Sequence, residues 1–174
     1  PGLPQAEPSL KVTYSRPSDF NGLMTYVRNI LIVDINKDIY TKVTLAYEAN
    51  RWAQGQYVMT LKAPDSNAIV EYLNKRPTVL TDFFVKIEMN RAVEQLQESY
   101  SSVVMDNLKS KYNLMLNAPE NMTFYKDTTD FFWASNNANT GRTDLIVYTF
   151  PYTDKDTFTP ENLVAKRDSV LKVN

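Results

Sequence analysis

Glu88 and Arg91 stand one helical turn apart in an otherwise largely apolar stretch, and they are the first place where chemistry could reside. At about 100° per residue, Arg91 projects on the same side as Leu80, Phe84 and Ile87, where a lone charge is costly. Two readings follow. Arg91 anchors an anionic ligand in a cleft beside the helix, or it pairs with Glu88, with Asn90 adding hydrogen bonds from the adjoining face. The pair is favoured, because no second Arg or Gly-rich loop converges on the position. Trp133 and Asn136 are the other candidates for ligand binding. Trp133 follows Phe131 and Phe132, so a strand there places aromatics on both faces, one of which can meet a partner. Ser135 and Asn136 offer hydrogen bonds to a ligand, although Ser-Asn-Asn is also a turn sequence. Asp154-Lys155-Asp156 invites a calcium reading but lacks the third acid, the Gly and the distal Glu of an EF-hand loop, so a solvated turn before a helix is the better account.

The chain has 174 residues and no His or Cys, which removes Ser-His-Asp and Cys-His nucleophiles, thiol redox chemistry and nearly all zinc, copper and haem sites. Carboxylate chemistry, Lys or Tyr acid-base work and oxygen-ligand metals survive that exclusion. No sequence pair among the acids is marked out for catalysis, and no cofactor, metal or catalytic residue is expected. A formal net charge of −1 supplies no field to attract a polyanion, so nucleic acid is not an expected partner. No apolar run approaches the roughly 20 residues that span a bilayer.

The elements that must position these residues read in order. Residues 1–20 hold Pro1, Pro4, Pro8 and Pro17 around the alternating Leu10, Val12 and Tyr14, which predicts an extended Pro-rich arm with one short strand on a sheet edge. Residues 21–174 form the α+β domain: a first unit at 21–77, a connector helix at 78–112 and a second unit at 113–174. In the first unit, NILIVDI at 29–35 suits a buried central strand, and alternation predicts further strands at 40–51 and 56–62, giving an antiparallel meander. Asp65 caps a short helix through Leu73. The connector has no Gly or Pro, and its apolar positions change sides, from Leu80, Phe83, Phe84 and Ile87 to Met89, Val93, Leu96, Tyr100, Val103 and Val104. The competing reading is two helices broken near Glu88 to Arg91. Strands are expected at 113–117, about Phe124, at 130–135 and at 145–150, then a helix capped by Thr159 with Pro160 at its first position. Antiparallel sheets packed on a long central helix are the predicted fold. The likeness of YVMTLKAPDSNAIVEYLNKR to IVYTFPYTDKDTFTPENLVAKR allows two related β-rich units.

Several phrases together, PGLPQAEPS, RNILIVDI, TDFFVKIEMNRAVEQL, DFFWASNN and VYTFPYTDKDTFTPENLVAKRDSVLKVN, make a chain that resembles an uncharacterised lipoprotein family of Bacteroidetes, the domain of unknown function DUF4837. The resemblance implies an extracytoplasmic protein held in the cell envelope, periplasmic or surface-exposed, by a lipid on a Cys upstream of Pro1, with this chain an internal section and the membrane reached only through that anchor. The family offers no catalytic residues to carry over to Glu88, Arg91 or the acids. Exported proteins of that phylum also carry O-glycans at short Asp-Ser/Thr motifs, which Asp127-Thr128-Thr129 and Asp168-Ser169-Val170 match; Thr128, in a predicted loop, is the better candidate.

These readings lead to a non-enzymatic envelope module that binds another protein or a glycan. The alternative is a hydrolase working on a saccharide with two carboxylates, which requires paired acids across a cleft.

Overall fold

The computed structural model describes residues 10–173, so the prolines at 1, 4 and 8 lie outside the described residues. The chain divides into two compact units, Pro1–Val93 and Glu94–Asn174. Each is an α+β arrangement of a three-stranded sheet and helices.

In the first unit the strands are β1 (Asn29–Ile35), β2 (Thr44–Ala49) and β3 (Tyr57–Ala63), in the order β1-β3-β2. The most apolar run is therefore at the edge, and the centre belongs to β3, where Val58, Met59, Leu61 and Ala63 are buried. The expected meander is also corrected, because β1 runs parallel to β3 and only β2 is antiparallel to it. Gln56 supplies the reason. Its side chain is fully buried, and its amide nitrogen donates to the carbonyls of Thr25 and Val27, both at 2.7 Å. That clamp lays the chain entering β1 beside the start of β3, so the two strands set out in the same direction. Across β2 and β3, Asn50 takes a left-handed conformation at φ 60°, and its side chain accepts from Gly55 N–H to close the hairpin loop.

Helix α1 (Ser66–Lys75) begins where Asp65 accepts from Ala68 N–H at 2.8 Å, the expected N-cap. Helix α2 (Val79–Glu98) buries Phe84 and Ile87, and Phe83 lies against Tyr47 of β2 with ring centroids 5.2 Å apart. The opposite side of α2 is not covered as expected: Met89 and Val93 are exposed.

The 78–112 connector is not one helix. It breaks at residues 99–101, past the Glu88 to Arg91 position of the alternative reading, and α3 (Ser102–Tyr112) starts anew. Ser101 makes the break. It leaves the helical conformation (φ −69°, ψ 110°), accepts from Val104 N–H and donates its hydroxyl to Met122 C=O at 2.6 Å, while its own N–H bonds Ala118 C=O. A serine that satisfies a buried carbonyl and caps the next helix outweighs the helix-forming residues around it.

The second unit contains α3, an antiparallel sheet of β4 (Phe124–Thr128), β5 (Phe131–Ser135) and β6 (Asp144–Tyr148) in that order, and α4 (Pro160–Val173). Val104 and Leu108 of α3 meet Phe132 and Ala134 of β5, with Ala118 and Met122 completing the core. Two expected strands are absent among the described residues. Residues 10–16 form none, with Val12 and Tyr14 largely exposed, and 113–117 begin with Asn113 in a left-handed cap of α3, after which Leu114, Met115 and Leu116 face solvent.

Candidate functional site

Glu88 and Arg91 are brought together with a residue the sequence did not single out. Asn29, at the head of β1, donates its amide to Glu88 Oε1 and accepts from Arg91 Nη1 at 2.9 Å. Arg91 also donates to Glu88, and its Nη2 donates to the carbonyls of Gly55 (2.6 Å) and Arg28 (3.2 Å); its guanidinium lies 5.5 Å from the Tyr57 ring centre. Arg28 places a second cation on Glu88 at 2.8 Å. Asn90 is exposed, and its expected part is taken by Asn29. Both faces of the guanidinium fork are thus occupied by acceptors from β1, the hairpin loop and α2 itself, which ties the helix to the sheet. Nothing in the spacing of Asn29 from Arg91 marked the contact; only the parallel entry of β1 creates it.

Trp133 and Asn136 lie in the second unit and do different jobs. Trp133 projects from the face of β5 that also carries Phe131, and its indole N–H donates to Asp144 Oδ1 at 3.0 Å. Arg142 donates to both oxygens of Asp144 at 3.1 to 3.2 Å and sits 5.9 Å from the indole. Hydrogen bonds from Ser135 first, then Arg142 and Trp133, hold the Asp144 carboxyl below the ordinary carboxylate range. Asn136 is spent on its own loop: its Oδ1 accepts from Ala138 and Thr143 N–H groups, and its Nδ2 donates to Gly141 C=O. Asn136 therefore sets the β5–β6 connection that delivers Arg142 and Asp144 beside Trp133.

Cross-strand register puts Phe131 opposite Tyr148, Trp133 opposite Ile146 and Lys126 opposite Trp133, all on the sheet face away from α3. Alternation in β5 determines this, since Phe132 and Ala134 are buried in the core on the other face. Helix α4 runs across the free face without closing onto it. Two adjoining hollows remain, each of about 390 Å³ and both bounded by Ile146 and Leu171. One is completed by Tyr148, Leu163, Val164 and Arg167, the other by Lys126, Phe131, Trp133, Arg142 and Asp144. Leu163, Val164 and Leu171 stay exposed along it. This groove was hidden from sequence reading because α4 looks like an ordinary amphipathic helix that should bury its apolar side.

Thr128 ends β4 rather than lying in a loop, and it is exposed at the turn into β5. Lys111 of α3 reaches this turn, bonding Asp127 and the Thr128 carbonyl. Asp154 caps a 3-10 turn (Lys155–Phe158) in a capping box with Thr157, so it serves the approach to α4. Among the described residues, no group of three or more acids is placed to hold a metal ion. No helix among them is long and apolar enough to cross a membrane.

Fold and groove together define an α+β protein of two sheet-and-helix units, the second with an open apolar channel. Residues 1–97, more than half of the chain, match the profile of a domain of unknown function (DUF8532), and residues 101–174 match a second, the domain of unknown function DUF4837. The chain therefore belongs to the DUF8532 family, and the DUF4837 resemblance read over nearly the whole sequence is supported at residues 101–174, while the first three of the phrases that carried it fall within the DUF8532 match. The two matches meet at the α2–α3 break around Ser101. No curated protein and no solved structure matches the chain.

Proposed function

We propose that the chain is a non-enzymatic binding module of a cell-envelope lipoprotein of Bacteroidetes, and that its second unit binds another protein in the groove between the β4-β5-β6 sheet and α4. The observation that carries this reading is the groove itself, an apolar channel walled by Ile146, Tyr148, Leu163 and Leu171 that a folded domain of ordinary packing would have closed. A protein segment suits it better than a glycan. The hollow beside Leu163 and Val164 is lined mainly by aliphatic side chains, and in the adjoining one the Trp133 indole N–H is already given to Asp144, whereas a sugar needs free polar groups beside an open ring. The envelope location and the upstream lipid anchor rest on the sequence resemblance to the DUF4837 lipoproteins. Thr128, exposed at a turn, is the position proposed for O-glycosylation.

The hydrolase reading lacks a comparable observation. Glu71 and Asp144, whose carboxyls are clearly displaced, are both pulled down, by Lys75 and by Ser135 with Arg142 respectively. A glycosidase general acid is pushed up.

In-cell cross-linking of the full-length lipoprotein with mass-spectrometric mapping tests the reading. Adducts to one envelope protein clustered on the α4 groove support it; adducts scattered over both units, or none where other envelope complexes are recovered, overturn it. Metabolic labelling with a clickable palmitate analogue checks the anchor separately.

A further inference from the structure

The sequence holds one Asn-Gly step, Asn21-Gly22, and it falls on the segment that leads into β1. Asn21 stands at the N-cap of a 3-10 turn (Gly22–Tyr26) with an extended backbone (φ −149°, ψ 174°), yet its side chain makes no capping hydrogen bond. A capping asparagine is ordinarily held by the backbone N–H that its side-chain oxygen accepts. Here the amide nitrogen reaches the Ser18 carbonyl at 3.4 Å, and the residue is exposed, so the amide carbon is open to attack. Gly22 follows at φ 52°, and a methyl group placed on it would meet nothing within 4 Å. Its N–H is the first of the turn, a position with no partner inside the turn.

Both flanks of this step are held. Phe20 lies against the Trp52 ring with centroids 5.6 Å apart, and the Thr25 and Val27 carbonyls both accept from Gln56 at 2.7 Å. Between these anchors the turn buries no residue. Rotation about the Asn21 Cα–C bond, which brings the Gly22 nitrogen toward the Asn21 side chain, gives up the bond from Met24 N–H to Asn21 C=O at 3.1 Å. A single net hydrogen bond offers little resistance. Gly22, lacking Cβ, is also the residue type that least obstructs the approach. Other asparagines differ in one respect or the other. Asn136 Oδ1 accepts two N–H groups and Asn50 accepts from Gly55, while Asn137 and Asn139 precede Ala138 and Thr140, whose side chains crowd the attacking nitrogen.

We infer that Asn21 is a self-modification site, at which the chain converts its own asparagine to aspartate and isoaspartate through a succinimide closed by Gly22. The Gly22 nitrogen, giving its proton to solvent base, attacks Asn21 Cγ. The new N–Cγ bond closes the ring, the Cγ–Nδ2 bond breaks, and the departing nitrogen takes up a proton from water and leaves as ammonia. Water then adds to one of the two ring carbonyls. Opening at Cγ restores the ordinary main chain with an acid on the side chain; opening at the backbone carbonyl routes the main chain through Cγ and leaves the acid on Cα. The net change is one amide and one water for one carboxylic acid and one ammonia, with no oxidation. Either product adds a negative charge, and the isoaspartyl one lengthens the main chain by a methylene between the anchored Phe20 and Thr25.

The test incubates the whole 174-residue chain in warm, mildly alkaline buffer and follows each asparagine by peptide mapping and mass spectrometry, beside the same chain in denaturant. Position 21 is expected to convert before Asn137 and Asn139 and to give a product that a protein-isoaspartate methyltransferase labels. Its rate in the native chain should lie within about tenfold of the rate in denaturant, a barrier difference of no more than ~1.4 kcal/mol. Asn21→Gln, whose longer side chain would have to close a larger ring, should abolish the conversion and leave the fold intact, since residue 21 is exposed. A native rate more than about tenfold below the denatured one would mean that the fold protects the step and would overturn the proposal. Another asparagine converting first in the native chain would overturn it as well. So would ordinary aspartate formed without the isoaspartyl product, because direct hydrolysis bypasses Gly22.

Discussion

Arg91 on α2 and Asn29 at the head of β1 are bonded directly and also through Glu88, which accepts from both. The triangle fixes a helix to the first residue of an edge strand, and the same guanidinium reaches the Gly55 carbonyl in the β2–β3 loop. Arg91→Met should destabilise the first unit by about 1–3 kcal/mol in denaturant unfolding, because Glu88 and two carbonyls lose a charged donor. Asn29→Ala should be strongly non-additive with it in a double-mutant cycle. Unchanged stability on losing Arg91, accompanied by loss of a ligand response, would restore the ligand-anchoring reading.

Ser101→Ala should cost about 1–3 kcal/mol, since it removes the cap of α3 and strands the buried Met122 carbonyl. Hydrogen exchange read along the first turn of α3 should accelerate more than along α2. Equal rates in both helices would mean that the break at residues 99–101 does not depend on this hydroxyl.

Asp144 gives a pH signature. Its pKa is lower in the folded chain than its ordinary value near 3.8, so its contribution is complete above that value and is lost as the pH falls through the lower folded one. The Trp133 emission, taken as the difference between the parent chain and Trp133→Phe, is expected to stay level at neutral and mildly acidic pH. It should change only below about pH 4, where the carboxylate that accepts its N–H is protonated. Asp144→Asn should remove that step. A step centred near neutrality would contradict the assignment.

Much of this architecture was legible from residue spacing. The bounds of β1, the caps at Asp65 and Thr159, the paired Glu88 and Arg91, and the two-faced strand at Trp133 all follow from local periodicity and turn chemistry. What failed has a common cause in side chains that act at long range. Gln56 turned a meander into a parallel pair, Ser101 broke a helix that contains no Gly or Pro, and Asn29 joined a cluster more than sixty positions away. The apolar run of β1 suggested a central strand because the five uncharged residues before Asp34 look the same whether covered or left at an edge. The groove escaped for the related reason that sequence shows an apolar helix face but not whether the face is closed.

Site-specific photo-cross-linking in the native host, with benzoylphenylalanine placed at Tyr148 in the full-length protein and, for comparison, at the exposed Tyr26 of the first unit, tests whether the groove is a binding site. One discrete protein adduct is expected from position 148 and none from position 26, with loss of the adduct when Val164→Glu adds a charge to the channel wall. Adducts of the same kind from both positions, or an adduct at 148 indifferent to Val164→Glu, would contradict a binding site in the groove.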